Sequence, residues 1–235
     1  VSFWDCGEFI ASALKMQVVH QPGAPLFLMI ERFFSLFAFG DKMKIAYFMN
    51  MGSAIASAAT ILFLFWTITH FAKRILVAKS GTELTNNQIF LVMGAGVVGA
   101  LAYTFSDSFW YSAVEAEVYA MASLFLALLF WLGLRWEQDM NNPKGNRWLL
   151  LISFVAGLSF GVHLMALLAI PSIVLLYLFK NTTEVTIKKI IINSLISVGV
   201  LLFIFSLLIP FVLESFGRTE IFAVNSLGLP FNSGV

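Results

Sequence analysis

Charged residues are scarce in this sequence. Asp, Glu, Lys and Arg make up 11% of the 235 residues, whereas apolar types make up 60%. Soluble domains have about a quarter charged and about half apolar residues. A soluble core could not bury this many apolar side chains, so the composition indicates an integral membrane protein. The net charge is +1 without a basic stripe, which argues against nucleic-acid binding.

Cysteine and the common phosphate-binding motifs are also missing. The one cysteine, Cys6, excludes an intrachain disulfide, and no Cys/His cluster suggests a structural metal. The sequence has no Gly-rich phosphate loop and no H-E-x-x-H motif, which argues against a soluble nucleotide donor. It begins at Val1 without Met and ends in a Gly/Ser/Asn-rich stretch. We therefore expect an excerpt of a longer protein.

Long apolar runs predict transmembrane helices, since a bilayer core about 30 Å thick requires about 20 apolar residues in a helix. Four runs satisfy this requirement: residues 46–71, 88–105, 118–134 and 190–213. Small residues in the second run would let a neighbouring helix approach closely; they are Ala95, Gly96, Gly99 and Ala100.

Residues 148–179 are too long for a single crossing. One helix of this length would extend about 48 Å. Both flanks are basic, which places both on the cytoplasmic side. The stretch is therefore predicted to form a hairpin of two short helices with its turn near Gly161, Val162 and His163. His163 would then lie at or just below the outer surface.

Residues 26–39 form a short apolar run interrupted by Glu31 and Arg32, which favours an interfacial helix over a span. Nine of the fourteen Lys and Arg residues then fall in loops on one side of the membrane. If residues 26–39 crossed the membrane instead, three of these cations would move outside, against the positive-inside bias.

This topology predicts an all-α polytopic membrane protein with a single transmembrane domain over residues 1–235. Residues 1–45 form an outer segment with two interfacial helices. About six transmembrane helices occupy residues 46–213, and residues 214–235 form a further outer loop. The chemistry should lie in the outer segments.

The first outer segment contains two carboxylates, Asp5 and Glu8, which share one face of a helix. Such a pair can hold a divalent cation or raise the pKa of one carboxylate towards that of a base. A solvated helix start with Asp5 as N-cap explains the pattern equally well. The turn at 19–25 contains two prolines and a glycine. It could present His20 to a substrate or only redirect the chain.

A second pair of carboxylates, Glu115 and Glu117, stands at the start of a predicted transmembrane helix. The helix dipole alone would favour carboxylates there, but ionisable groups at membrane depth often mark a site. We favour a functional role for Glu117 and leave Glu115 open. His163 could bind an anionic phosphate or hydrogen-bond a neighbouring carbonyl. His70 is interpreted as structural.

Three short motifs together resemble a known family. Their combination is similar to the GT-C glycosyltransferases, and most similar to the bacterial branch called protein O-mannosyltransferase-like membrane proteins. The motifs are Trp4-Asp5-Cys6-Gly7-Glu8-Phe9-Ile10-Ala11, His20-Gln21-Pro22-Gly23-Ala24-Pro25-Leu26 and Val114-Glu115-Ala116-Glu117-Val118-Tyr119.

The resemblance implies a GT-C-like helix bundle with juxtamembrane helices on the outer face. It implies transfer of a sugar, mannose, from a polyprenyl-phosphate donor to a Ser or Thr hydroxyl of an acceptor protein, with inversion. It also implies a bacterial inner membrane with the site facing the periplasm and in contact with membrane lipid. The need for a divalent cation stays open, and no residue is assigned as a metal ligand.

The resemblance also assigns roles to residues. Asp5, Glu8 and Glu117 match catalytic acids, and Asp5 is our choice for the base. The substrate-binding candidates are His20, Glu115, Tyr119 and His163. The spacing Asp-x-x-Glu replaces adjacent acids of the relatives, and Gln21 replaces a proline, so the identity of the base stays open. There are two alternatives. One is a secondary transporter or lipid flippase, which only the break at 161–163 supports, and the other is a non-catalytic scaffold.

Overall fold

The computed structural model describes residues 5–20, 23–81, 83–182 and 184–231. Trp4, Gln21 and Pro22, which belong to the motifs above, lie outside these residues. The described chain contains helices and no strand. The α-helices are α1 (Cys6–Lys15), α2 (Pro25–Ser35), α3 (Ile45–Ser80), α4 (Asn86–Thr104), α5 (Asp107–Val114), α6 (Val118–Asp139), α7 (Asn146–Phe160), α8 (Ile170–Asn181), α9 (Ile187–Phe203) and α10 (Ile209–Leu227).

Five helical segments among the described residues are long and apolar enough to cross a membrane. They are Lys42–Lys79, Asn86–Thr104, Val118–Asp139, Leu164–Asn181 and Ile187–Leu227. Helix α7 is also apolar but has only 15 residues, about 22 Å. These segments overlap the six predicted crossings, and the number of crossings stays a prediction. The prediction of an all-α polytopic membrane protein is confirmed.

The chain divides into two compact units, Val1–Ala169 and Ile170–Val235. In the first unit α3 packs against α2, α4, α5 and α6, while α1 packs on α2 and α7 packs on α6. In the second unit α8 packs on α9. Helix α9 continues through a π-helical turn, Ile204–Leu208, into α10.

Helix α10 corrects the prediction of an outer loop from residue 214 onward. The chain stays helical to Leu227, and Gly228 ends the helix with a left-handed φ of 68°. Arg218 donates to Glu214 at 2.8 Å, one turn apart, and such pairs support an exposed helix. The charges after residue 213 therefore mark a more polar part of the helix and not its end.

The small residues of α4 allow the predicted close approach, and the partner is α3. A Cβ added at Gly96 would lie 2.6 Å from Thr69 Cγ2 and 2.7 Å from Phe65 Cε2. One added at Gly99 would lie 2.6 Å from Ile68 Cδ1. Real Cβ atoms do not approach other atoms this closely, so a side chain at Gly96 would push Thr69 and the Phe65 ring out of place. At Gly99 the contact is the end of the flexible Ile68 side chain, which can move aside more easily.

The helix breaks at residues 161–163, where the sequence predicts a turn, and this turn lies against the start of α2. The Gly161 carbonyl accepts hydrogen bonds from the N–H groups of Leu26 at 2.8 Å and Phe27 at 3.1 Å. These two donors stand in the first turn of α2, where a helix has no internal partners for them. A Cβ at Gly161 would lie 2.7 Å from Leu26 Cβ. The turn before His163 is therefore held next to the segment that carries His20.

We predict opposite effects for two glycine substitutions in α4. Gly96→Ala should lower the melting temperature of the detergent-solubilised protein, because the new methyl group collides with Thr69 and Phe65 of α3. Gly94→Ala is the control, since a Cβ there meets nothing within 4 Å. Alanine raises helix propensity, so Gly94→Ala should leave the melting temperature unchanged or raise it. Equal destabilisation by both substitutions would contradict this packing.

Candidate functional site

The candidate site begins at the first turn of α1. Asp5 is at the N-cap position, as one interpretation of the sequence expects, but its side chain makes no capping hydrogen bond. Helix α1 ends at Lys15, and Met16 reverses the chain in a left-handed conformation with φ of 53°. The reversal returns residues 17–20 along α1, which brings His20 next to the helix start.

His20 joins the two carboxylates. Its backbone N–H donates to Glu8 Oε1 at 2.8 Å, and its Nδ1 lies 3.0 Å from Glu8 Oε2. Its Nε2 lies 3.7 Å from Asp5 Oδ2. Both oxygens of Glu8 are therefore bonded to His20. Among the described side chains Asp5 makes the longer contact alone, and it stays half exposed, with 50% of its side chain accessible.

The contact between Glu8 and His20 changes the pKa of both groups. The hydrogen bond from His20 lowers the pKa of Glu8, and the same bond raises the pKa of His20 above its ordinary value. The charges of Glu8 and Asp5 also raise the pKa of His20. This arrangement favours an imidazolium between two carboxylates.

The second acidic pair lies at the junction of α5 and α6. Asn50 of α3 accepts the N–H of Ala116 at 3.0 Å, and this bond fixes the junction against the bundle. Burial raises the pKa of Glu117, and the charges of Glu115 and Asp5 raise it further. The N–H groups of Asp5 and Cys6 act in the opposite direction. Glu117 therefore lies at the start of α1, next to Asp5.

Cys6 lies among these acids without the features of a nucleophile. It is buried, with 1% of its surface exposed. Burial raises the pKa of its thiol, and the charges of Glu115, Glu117 and Glu31 raise it further. A thiol with a raised pKa is a poor nucleophile. We interpret Cys6 as part of the packed core under the site.

His163 lies at the turn after α7, and the structure pairs it with Tyr119. The two ring centroids are 5.5 Å apart. His163 Nδ1 accepts the N–H of Met165 at 3.2 Å, and burial lowers the pKa of His163. The ring is therefore favoured as a neutral imidazole with a proton on Nε2. Tyr119 stands two residues after Glu117, so the pair belongs to the same end of α6.

The structure also reveals an acidic residue that the sequence analysis did not select. Glu31 of α2 is fully buried, and neither of its carboxylate oxygens has a hydrogen-bond partner among the described residues. Burial raises its pKa to about 8. Gly52 of α3 makes room for it, because a Cβ there would lie 2.9 Å from Glu31 Oε1. The only signal in the sequence was a charge inside a short apolar run.

The cluster around His20 also fits a divalent cation. One ligand atom from each of Asp5, Glu8 and His20 lies within 4.8 Å of the others. Nε2 of His20 faces Asp5 while Nδ1 contacts Glu8. A carboxylate behind a metal-binding histidine is the usual orientation in such sites. Asp5 and His20 would then hold the cation, and Glu8 would orient the ring.

Comparison with known proteins identifies the family. The model of the protein O-mannosyl-transferase TMEM260 N-terminal domain matches residues 5–186, from Asp5 to beyond His163. The chain belongs to this family. The match covers every candidate site residue and confirms the resemblance to the O-mannosyltransferases.

Two curated relatives carry the same family name. Protein O-mannosyl-transferase TMEM260 of Mus musculus is 28% identical over 156 residues, which are 66% of this chain and 19% of the relative. Protein O-mannosyl-transferase tmem260 of Dictyostelium discoideum is 27% identical over 133 residues, 57% of this chain and 14% of the relative. The chain thus matches less than a fifth of either relative. Both organisms are eukaryotes, so the comparisons do not support the predicted bacterial inner membrane. No solved structure matches the chain significantly.

The burial of Glu31 predicts a pH-dependent stability. Its pKa is about 8 in the folded protein against an ordinary value of 4.5, so the folded state binds more protons between these values. Its contribution to stability is complete below pH 4.5 and is lost as the pH rises towards 8. Glu31→Gln should therefore melt at a higher temperature than the parent protein above pH 8, and the difference should shrink on acidification.

The control is Glu184→Gln, which removes an exposed carboxylate. This variant should keep the pH dependence of the parent protein in thermal melts. A parent protein whose melting temperature does not fall between pH 5 and pH 8.5 would contradict the buried, unpartnered state of Glu31.

Proposed function

We propose that this domain carries the catalytic site of a membrane glycosyltransferase that moves mannose from a polyprenyl-phosphate donor to a Ser or Thr hydroxyl of an acceptor protein. Family membership and the names of the relatives support an O-mannosyltransferase. The observation that carries the proposal is the exposed cluster of Asp5, Glu8 and His20 with Glu117 beside it. The polyprenyl-phosphate donor is proposed from the resemblance and from the membrane setting of the cluster.

Asp5 is the proposed general base. Its carboxylate is half exposed, and within the described part of the chain it has no hydrogen bond that a substrate would have to displace. Both oxygens of Glu8 already bind His20, so Glu8 is less available for proton transfer. In the reaction the acceptor oxygen attacks the anomeric carbon, and its proton passes to Asp5. The bond between that carbon and the phosphate oxygen breaks, and the polyprenyl phosphate leaves with the electron pair. Attack on the face opposite the phosphate inverts the anomeric centre.

His20 and Glu8 are proposed to keep Asp5 in place. A positive imidazolium with its Nε2 3.7 Å from Asp5 Oδ2 attracts the carboxylate and limits its movement before reaction. Glu8 holds the ring through two contacts, one to the backbone and one to the side chain. Glu117 has a raised pKa, and its protonated form could donate a hydrogen bond to the sugar. Glu115 is proposed to line the same part of the site.

His163 and Tyr119 are proposed to bind the donor phosphate. A neutral imidazole with a proton on Nε2 and a phenol each offer one hydrogen-bond donor. Such donors stabilise the negative charge that grows on the leaving phosphate. The bonds from Gly161 to α2 hold the turn that precedes His163, so this donor is positioned before the substrate binds.

The site is proposed to lie on the non-cytoplasmic side of its membrane. Nine of the fourteen Lys and Arg residues lie in or within about two helical turns of the connections after α3, α6 and α8, and such basic regions stay on the cytoplasmic side. The start of α1 and the start of α6 then lie on the opposite side. The relatives are eukaryotic, so we propose no bacterial membrane.

The transporter alternative loses its main support in this structure. Transporters use broken helices whose free backbone groups bind substrate near the middle of the membrane. The break at 161–163 instead has its Gly161 carbonyl bonded to Leu26 and Phe27. The carbonyl therefore serves the packing of α2. A scaffold role would not explain why Asp5, Glu8 and His20 form an exposed cluster.

Replacement of the base tests the proposal directly. Asp5→Asn in the full-length protein should lower the rate of mannosyl transfer from radiolabelled polyprenyl-phosphate mannose by about 100-fold or more, the range expected for loss of a general base. Asp41→Asn is the control, because Asp41 is a carboxylate of the same N-terminal segment and pairs with Lys44. Transfer by Asp5→Asn at the parental rate would disprove the assignment.

A chelator in the same assay distinguishes the two states of the cluster. If His20 acts as an imidazolium, EDTA should leave the transfer rate unchanged. Loss of activity with EDTA, restored by Mg²⁺ or Mn²⁺, would show instead that Asp5 and His20 hold a cation.

The contact between Glu8 and His20 predicts a shift in the pH profile. Glu8 raises the pKa of His20, so the imidazolium persists to higher pH than it would alone. Glu8→Gln should weaken this effect and move the alkaline limb of the pH–rate profile to lower pH, with a smaller change in rate at acidic pH. The parental limb should be kept in Asp41→Asn. An unchanged alkaline limb in Glu8→Gln would exclude His20 as the group that titrates there.

A further inference from the structure

A large cavity lies at the opposite end of the bundle from the acidic site. Its volume is about 1220 Å³, and residues near the end of α3, the start of α4 and the end of α6 line it. Asn50, which supports the acidic site, and His70, which lines the cavity, are both on α3. Twenty residues of helix separate them by about 30 Å, the thickness of a bilayer core. No part of the proposed mechanism uses this cavity.

The polar part of the cavity lining carries two cations, Lys73 and Arg135. Lys73 is exposed and has no ion-pair partner among the described residues. Arg135 donates one hydrogen bond, to Gln138 Oε1 at 2.9 Å, and a guanidinium has five N–H groups. Gln138 Nε2 in turn lies 3.1 Å from His70 Nδ1. This connection between α6 and α3 orients Arg135 and leaves most of its donors available.

The acids that could neutralise these cations have other partners. Glu137 binds both terminal nitrogens of Arg74 at 3.0 Å each. Asp139 accepts the Nε1–H of Trp148 at 2.8 Å. The one carboxylate in the lining is Glu83. With two cations and one acid, the lining keeps an excess of positive charge.

The rest of the lining is aromatic and aliphatic. Trp66 and Trp131 lie with their ring centroids 5.5 Å apart, and Val92 and Met93 of α4 extend the apolar surface. Tryptophan is enriched where a membrane meets water. The cavity therefore combines cations with an apolar wall. It lies at the helix ends that the distribution of Lys and Arg residues assigns to the cytoplasmic leaflet. Basic pockets between helices on this side bind anionic lipid headgroups.

We propose that the cavity between α3, α4 and α6 binds an anionic phospholipid of the cytoplasmic leaflet, with its phosphate at Lys73 and Arg135 and its acyl chains along Trp66, Val92 and Met93. This site is distinct from the proposed donor site at the other end of the bundle. The bound lipid would neutralise the two cations and fill the space between the end of α3, the start of α4 and the end of α6.

Native mass spectrometry of the full-length protein in detergent tests this assignment. Phosphatidylserine and phosphatidylcholine with identical acyl chains are added separately, and the bound lipids are counted. The parent protein should retain phosphatidylserine in preference to phosphatidylcholine. Removal of the cations in Lys73→Gln with Arg135→Gln should weaken phosphatidylserine binding about fivefold for each charge removed. Glu83→Gln should strengthen it, because it removes a like charge.

The control for charge is Lys79→Gln with Lys188→Gln, which removes two exposed cations that do not line the cavity. This variant should bind phosphatidylserine as the parent protein does. Equal losses in both double variants would show non-specific attraction and overturn the proposal. Displacement of the lipid by millimolar inorganic phosphate would reveal a site for the ion alone, which would also overturn it.

Failure of this proposal leaves the proposed enzyme untouched. The double variant of Lys73 and Arg135 alters no residue of the acidic site, so its transfer activity can be measured in parallel. A parent protein that shows no preference between the two lipids would refute the lipid site whatever the transfer rate.

Discussion

Helix α3 is longer than a bilayer is thick, and the arrangement of the first unit follows from this. Its 36 residues extend about 54 Å, so both ends emerge from a hydrocarbon core of about 30 Å. At one end Asn50 holds the junction of α5 and α6. At the other end Arg74 forms a two-bond pair with Glu137 of α6. The same two helices are thus tied together on both sides of the membrane.

Two chemically different regions result from these fixed ends. The end near Asn50 contains several carboxylates, and the imidazole of His20 lies between those of Asp5 and Glu8. The end near Arg74 collects cations and tryptophans around a cavity. Glu31 forms a third, hidden acidic position between α2 and α3. Because Glu31 is buried, α2 packs most favourably when this carboxyl group is protonated. The stability of α2, the helix that follows His20, therefore depends on pH.

Much of this arrangement is predictable from sequence, for identifiable reasons. The break at Gly161 follows from length, because 32 apolar residues exceed one crossing. The close approach at Gly96 follows from residue size. Asp5, Glu8, His20 and Glu117 stand out because polar residues are rare here. The contacts between them do not follow, since His20 reaches Glu8 only through the left-handed turn at Met16.

Burial and helix ends were less predictable. The burial of Glu31 depends on the lack of a side chain at Gly52, a partner on another helix that periodicity does not reveal. The end of the last helix was placed too early, because an exposed pair such as Glu214 and Arg218 looks like a loop in sequence while it supports a helix in the structure.

The most direct test of the proposed mechanism is a structure of the full-length protein with a polyprenyl-phosphate sugar bound. This mechanism places the anomeric carbon beside Asp5 and the phosphate within hydrogen-bond distance of His163 or Tyr119. A donor phosphate at Lys73 and Arg135, on the opposite side of the membrane, would contradict it.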